Sequence, residues 1–198
     1  MEKQKTQLEE VAGVPKKIAI VGGSATGKTT LLKHLEEEYR DNSDVVFVHE
    51  SARQFFIENP DQINFTLGVQ EKILSLVLEN EKRAEELNPK LIVTDTSALE
   101  VMFYTKVQGD EAGTEHLLKR LEHYIPTYDK FLLMNQADVQ FVNDKIRLED
   151  QKTRDMIHQM LVDFYHHNKL RFELISGTIP ERQKRVGDII DEYLVRYT

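Results

Sequence analysis

Residues 18–29 read IAIVGGSATGKT: an apolar run, then Gly22, four residues, Gly27, Lys28 and Thr29. This is G-x-x-x-x-G-K-[ST] in the context that gives the pattern meaning. Ile18 to Val21 has the make-up of a buried strand, and TTLLKHLEEEYR that of an amphipathic helix. A strand that runs through a glycine-rich turn straight into a helix commits the chain to an α/β layout. The glycines let backbone wrap a polyphosphate without Cβ clashes. The loop N–H groups and the helix N-terminus then face the anion. The expected nucleoside triphosphate site comprises Gly22, Gly23, Ser24, Ala25, Thr26, Gly27, Lys28, Thr29 and Thr30. Lys28 is expected to reach the β- and γ-phosphates, and the Thr29 hydroxyl to hold Mg²⁺.

The rest of the chain supports the same layout. Short hydrophobic runs at 17–21, 45–49, 90–94, 130–134 and 171–175 suit strands buried on both faces of a parallel sheet. Helical patterns occupy 28–40, 66–87, 97–108, 113–124, 151–167 and 180–196. This alternation predicts a doubly wound α/β fold, a five-stranded and mostly parallel sheet with helices on both faces. The chain of 198 residues has the length of one such domain, placed at 16–198 after a polar tail at 1–15. The polar, aperiodic stretch 135–150 predicts a mobile lid, extending to near 155.

Composition removes several functions. The chain has no cysteine, which excludes disulfides, thiolate catalysis and a zinc–thiolate site. A net charge of −8 without a basic stripe argues against nucleic acid as a partner. No apolar run approaches the about 20 residues needed to span a bilayer. The N-terminus MEKQKTQLEEVAG lacks the apolar core of a secretion signal, so a cytoplasmic location away from membranes is expected. An oligomer is compatible with the sequence, which offers no positive sign of one.

In open α/β sheets ligands gather beyond the C-terminal strand ends, so the residues just after each strand are read for chemistry. After the second strand, HESARQFF places Glu50 near the γ-phosphate, where a carboxylate accepts a proton from a substrate hydroxyl or holds the metal's water shell. Arg53 follows one turn later, where it can contact the transferring phosphate or the acceptor. Alternatively, Glu50 and Ser51 merely cap a helix and Arg53 is a surface charge. After the third strand, Asp95 in TDTSALE can serve Mg²⁺ or ribose hydroxyls, or simply begin a helix near Ser97. Phe55, Phe56 and Tyr104 offer a stacking wall for a planar ring, although aromatics at helical spacing usually belong to a core. In the polar segment Arg147 is the lid candidate, whereas Arg154 reads as part of a solvated helix face. After the fifth strand Ser176 and Gly177 form a turn that can line an adenine pocket.

Laid out in this order, the chain resembles the ribosylnicotinamide kinase domain of the bifunctional NadR proteins and the P-loop ATPases grouped with it. The resemblance covers nearly all of residues 16–196 and rests on GGSATGKTTL, HESAR, TDT, FLLMNQADVQFVNDKIR and LISGTIPERQKRV. It implies an enzyme that transfers phosphate from ATP, with Mg²⁺, to the ribose 5′-hydroxyl of nicotinamide riboside. It further implies ATP and Mg²⁺ on Lys28 and Thr29, Glu50 or Asp95 near the hydroxyl, and Arg147 as the lid arginine with Asp144 just before it. The family's lid typically reads P-D-x-P-W-x-D-D-G-x-R. Here Ala137, Gln140, Phe141, Asn143 and Lys145 stand at its Pro, Pro, Trp, Asp and Gly places, which changes lid stiffness and, through Phe141 in place of tryptophan, any ring-stacking surface for the substrate.

Three other readings compete: kinase action on a different nucleoside, an ATP-hydrolysing regulatory module, and a GTPase. NQAD at 135–138 imitates the guanine-reading N-K-x-D, but Gln136 replaces its lysine. TDTSA also lacks the glycine of the D-x-x-G switch.

Overall fold

The strand carrying the glycine loop lies in the middle of the sheet. In the computed structural model, which describes residues 13–139 and 150–196, that strand is β1 (Lys16–Val21), followed by α1 (Lys28–Glu38). Then come β2 (Val45–Val48), α2 (Ser51–Glu58), α3 (Leu67–Glu86), β3 (Leu91–Asp95), α4 (Ala98–Val107) and α5 (Glu111–Leu121). The described chain ends with β4 (Lys130–Met134), α6 (Gln151–His167), β5 (Phe172–Ile175) and α7 (Ile179–Arg196). The sheet order is β2-β3-β1-β4-β5, and every neighbouring pair is parallel. The chain therefore winds to one side of β1 for β2 and β3 and to the other for β4 and β5. This reversal opens a crevice beyond the C-terminal end of β1, where a ligand site is expected.

The two-residue period of β1 explains its burial on both faces. Ile18 and Ile20 pack with Leu31, Leu32, Val186 and Ile189 of α1 and α7. Ala19 and Val21 face the other way, toward Leu74, Leu99, Phe103 and Leu161 of α3, α4 and α6. The α4 segment ALEVMFYTKV is apolar nearly all round because it is an internal helix, in contact with α3, α5 and α6. By contrast, α7 is strongly amphipathic, burying Val186, Ile189 and Ile190 while its charged face meets solvent.

The expected fold class is the observed one, and the sheet is wholly parallel among the described residues. Each expected strand is found to within two residues. The helix α2 was absent from the helical patterns, because its eight residues bury only Ser51 and Phe56 and show no extended apolar period. The expected helix at 113–124 begins earlier, where the Asp110 side chain accepts from Gly113 N (2.8 Å) and caps α5. Of the anticipated lid, 136–138 forms a short 3₁₀ turn, residues 151–155 belong to α6, and 140–149 lie outside the described residues.

One polar cluster interrupts the apolar layer beneath the sheet. Lys17 is fully buried, with Nζ 2.9 Å from both Glu81 Oε2 and Glu85 Oε1. Tyr124 and Tyr128 donate to the two Glu81 oxygens at 2.7 and 2.6 Å. The Tyr128 hydroxyl in turn accepts from Ala98 N (3.0 Å) at the start of α4. Burial, reinforced by the Glu81 charge, raises the proton affinity of both phenols. Replacing Glu81 by Ala strips Lys17 of one buried counter-charge and both tyrosines of their acceptor. It should therefore cost about 3 kcal/mol or more in urea unfolding. A loss under about 1 kcal/mol would show that the cluster is not structural.

Candidate active site

The glycine loop closes into α1 through Gly27, whose φ of +89° is open to glycine and strained for other residues. Lys28 follows as the first residue of α1. Its side chain folds back under the loop, donating to the carbonyls of Gly22 (2.5 Å) and Gly23 (3.0 Å), and is only 6% exposed. The Thr29 hydroxyl donates to Asp95 Oδ2 at 3.0 Å across the gap between α1 and the end of β3. Thr96, immediately after Asp95, has φ +79°, an uncommon conformation for a β-branched residue, of the kind that collects at functional sites. Thr30 is exposed on the first turn of α1, on the outer edge of the expected phosphate cradle.

The Thr29–Asp95 pair fits Mg²⁺. This ion takes one or two protein oxygens and completes an octahedron with water and phosphate oxygens. A hydroxyl and a carboxylate 3.0 Å apart, at the mouth of a phosphate loop, are such a donor set. No group of three or more His, Cys, Asp or Glu side chains is arranged for a metal among the described residues.

The loop is fastened from two sides by residues that the sequence did not single out. From α4, the buried Glu100 carboxylate accepts from Gly22 N (3.0 Å) with Oε1 and from Ser97 N (2.9 Å) with Oε2. Burial pushes this carboxyl up to about 7 from 4.5, against the opposing pull of Lys28 and the two N–H donors. From α7, the buried Arg182 guanidinium donates to the carbonyls of Gly177 (2.9 Å), Thr26 (3.1 Å) and Asn135 (3.0 Å). It also pairs with Asp138 at 3.0 Å. The Gly177 N–H (2.8 Å) and this guanidinium hold the Asp138 carboxyl below its ordinary range. Ser97-x-x-Glu100 carries the signature of a capping box, which could have marked Glu100, whereas nothing local shows that Glu100 or Arg182 reaches the loop.

The expected site residues divide cleanly. Lys28, Glu50, Asp95 and Tyr104 line one narrow pocket, whose wall Glu100 also forms. Thr29, Glu50, Arg53 and Asp95 line an adjoining open cleft of ≈ 230 Å³ between α1 and α2, with Ile57 and Glu58 on its outer wall. Tyr104 rests against Phe65 with ring centroids 5.1 Å apart. Phe56 corrects the sequence reading: it packs in the apolar core, because the opposite side of α2 faces the cleft. Ser176 and Gly177 do sit at the β5–α7 turn, but their polar atoms are engaged. The Ser176 hydroxyl accepts from Asn135 Nδ2 (3.1 Å), and Gly177 is held by Asp138 and Arg182. The same engagement occupies the Asn135 and Asp138 that imitate a guanine-reading motif. Phe141, Asp144 and Arg147 lie outside the described residues.

Arg154 is a second correction. It is 4% exposed, and a Cβ on Gly23 would stand 2.5 Å from its Cγ, so the arginine stem lies directly on the phosphate loop. The helical pattern of α6 gives no hint of this contact.

The profile of the AAA-domain family matches residues 17–182, a span that runs from the buried lysine of β1 to the arginine that braces the loop. The chain belongs to this family. No curated protein matches it in sequence. Among solved structures, NadR in complex with NAD and AMP-PNP superposes with a TM-score of 0.70 at 18% identity, over 91% of this chain and 49% of that one. NadR in complex with NR gives 0.71 at 17%, over 91% and 51%. The AAA-family chain thus spans about half the length of the NadR chains it matches. Thymidylate kinase from Candida albicans gives 0.62 at 15%, over 90% and 92%. Deoxyadenosine kinase from M. mycoides, with bound dATP, also gives 0.62 at 15%, over 89% and 99%. The fold is that of the P-loop nucleoside and nucleotide kinases.

The high proton affinity of Glu100 has a definite sign in stability. The folded chain keeps this proton to about pH 7, whereas the unfolded chain releases it near 4.5. The group therefore favours folding below pH 4.5, and its contribution is lost as pH rises through 7. Stability of the native chain relative to Glu100→Gln should fall between pH 5 and 8, by about 3 kcal/mol at most. Denaturant unfolding of both proteins across that range checks it; a pH-independent difference would mean that Glu100 stays ionised.

Proposed function

We propose that this protein is an ATP- and Mg²⁺-dependent kinase that phosphorylates the hydroxyl of a small nucleoside, with the ribose 5′-hydroxyl of nicotinamide riboside as first candidate. One observation carries the reading: the Thr29–Asp95 pair and Glu50 border the same open cleft. A triphosphate seated on the loop would point its γ-phosphoryl at that cleft, where an acceptor would meet a carboxylate.

The charge of the cleft favours a nucleoside over a nucleotide. Glu50, Glu58 and Asp95 line it with Arg53 and His49, three carboxylates to one guanidinium and one imidazole. An acceptor that already carries a phosphate would be repelled, whereas a neutral nucleoside, or one with a cationic pyridinium ring, would not. Tyr104, backed by Phe65, supplies an aromatic surface in the adjoining pocket. The likeness to NadR in complex with NR supports the same choice.

In the proposed reaction Glu50 accepts the proton of the acceptor hydroxyl as its oxygen attacks the γ-phosphorus in line. The bond from that phosphorus to the bridging oxygen breaks, and ADP leaves. Lys28 turns its ammonium from the loop carbonyls to the β- and γ-phosphate oxygens. Arg53 orients the acceptor, and Thr29 and Asp95 would hold the metal. Mg²⁺ supplies neutralisation of the charge on the phosphate oxygens.

Lys28→Ala should abolish phosphoryl transfer while circular dichroism stays native; full activity would refute the assignment. Glu50→Gln should lower kcat by ~100-fold or more with acceptor KM little changed. A loss confined to acceptor KM would move the proton-accepting role to Asp95. Incubation with ATP, Mg²⁺ and a panel of nucleosides and nucleoside monophosphates, read by mass spectrometry, identifies the acceptor. Phosphorylation of monophosphates alone would overturn the nucleoside reading, and ADP release without any phosphorylated product would mark an ATPase.

A further inference from the structure

We propose that Glu100 is a positioning residue that sets the phosphate loop against the Asp95 turn and so determines how tightly the chain holds Mg²⁺-bound ATP. The inference rests on the ATP-binding part of the reading above and is independent of which acceptor is used.

Glu100 bonds with both halves of the metal site at once. Oε1 takes the N–H of Gly22, the residue with which β1 becomes the loop carrying Lys28 and Thr29. Oε2 takes the N–H of Ser97, two residues beyond Asp95. Thr29 Oγ1 also bridges loop and turn by donating to Asp95 Oδ2, a bond that a metal ion would replace. A carboxylate is the side chain this geometry needs. Once its proton is lost it has acceptors only, and two buried N–H donors converge on it. A carboxamide of the same shape can satisfy one donor but opposes an NH₂ to the other.

The element presenting Glu100 is itself anchored. Next to Ser97, Ala98 N donates to the Tyr128 hydroxyl (3.0 Å), which donates to Glu81 (2.6 Å), which pairs with Lys17 at the base of β1 (2.9 Å). A buried polar column therefore leaves β1 at Lys17 and returns to its far end at Gly22. The start of α4 cannot shift without breaking a bond in that column, so Glu100 transmits a fixed position to the loop. Its charge also has a local counterpart, because the buried Lys28 ammonium is the principal cation acting on it. Loss of either N–H bond would let the loop drift relative to Asp95 by a fraction of an ångström to an ångström, which suffices to degrade a site assembled from two elements.

The test measures Mg²⁺-ATP affinity calorimetrically in the full chain without acceptor, together with KM for ATP and for the acceptor during turnover. Glu100→Gln is expected to weaken Mg²⁺-ATP binding by ~10-fold or more and to raise the Mg²⁺ needed for half-maximal binding. Acceptor KM should change less than twofold, a split that general destabilisation would not produce. Native Mg²⁺-ATP affinity in folded Glu100→Gln would overturn the inference alone; a native chain that binds no nucleotide would overturn it together with the kinase reading. Should the variant not fold, amide exchange of Gly22 in the unaltered chain decides. Slow exchange, with and without nucleotide, is expected, and exchange at the rate of an open loop amide would overturn the proposal.

Discussion

A glycine loop at the centre of a buried sheet must have its backbone polar groups satisfied, and its own Lys28 and Thr26 do this for the Gly22 and Gly23 carbonyls while other groups take partners from distant helices. The rest of this molecule is arranged around that constraint. Glu100 reaches in from α4 to take the Gly22 N–H, and Arg182 reaches in from α7 to bind the Thr26 carbonyl. These two helices lie on opposite faces of the sheet, so the loop is clamped between the layers and not merely suspended from β1. Buried charges of this kind are retained at a cost in desolvation, which is offset here because each has hydrogen-bonding partners on more than one element.

The two clamps also do different work. Arg182 joins the loop to the ends of β4 and β5 through Asn135, Asp138 and Gly177, which registers the phosphate cradle against the turns on that side. Glu100 joins it to the start of α4, just beyond Asp95 at the end of β3. Between them the loop is positioned relative to both sides of the topological switch. Arg154, whose stem lies on Gly23, closes the remaining approach from α6. Among the described residues, an open cleft remains toward α2, where Glu50 and Arg53 stand.

Much of this was legible in the residues, for identifiable reasons. The strands could be read because β1, β3 and β4 are buried on both sides and so appear as unbroken apolar runs. Lys28, Thr29, Glu50 and Asp95 could be read because a phosphate loop dictates where the next strand ends must project. Phe56 was misplaced because aromatic character alone does not tell which side of a short helix faces the core. Arg154 was misplaced for the opposite reason, since a charged helical residue looks solvated whether it faces water or a glycine that leaves room for its stem. Ser97-x-x-Glu100 is a local capping-box pattern, but the bonds by which Glu100 and Arg182 hold the loop go to backbone atoms 78 and 156 residues away, which no local pattern encodes.

By itself the sequence determined that a triphosphate loop would sit between a central strand and a helix in a parallel sheet, since spacing and periodicity are local properties of the chain. It also determined which carboxylates would follow the neighbouring strands. Only the tertiary structure decided which of them meet. Thr29 touches Asp95, Glu50 shares their cleft, and Phe56 turns away, because these relations depend on how β3 and α2 stack beside β1. The clamps on the loop were decided there too, since a backbone N–H or carbonyl has the same chemistry at every residue and acquires a specific partner only when folding brings one within 3 Å.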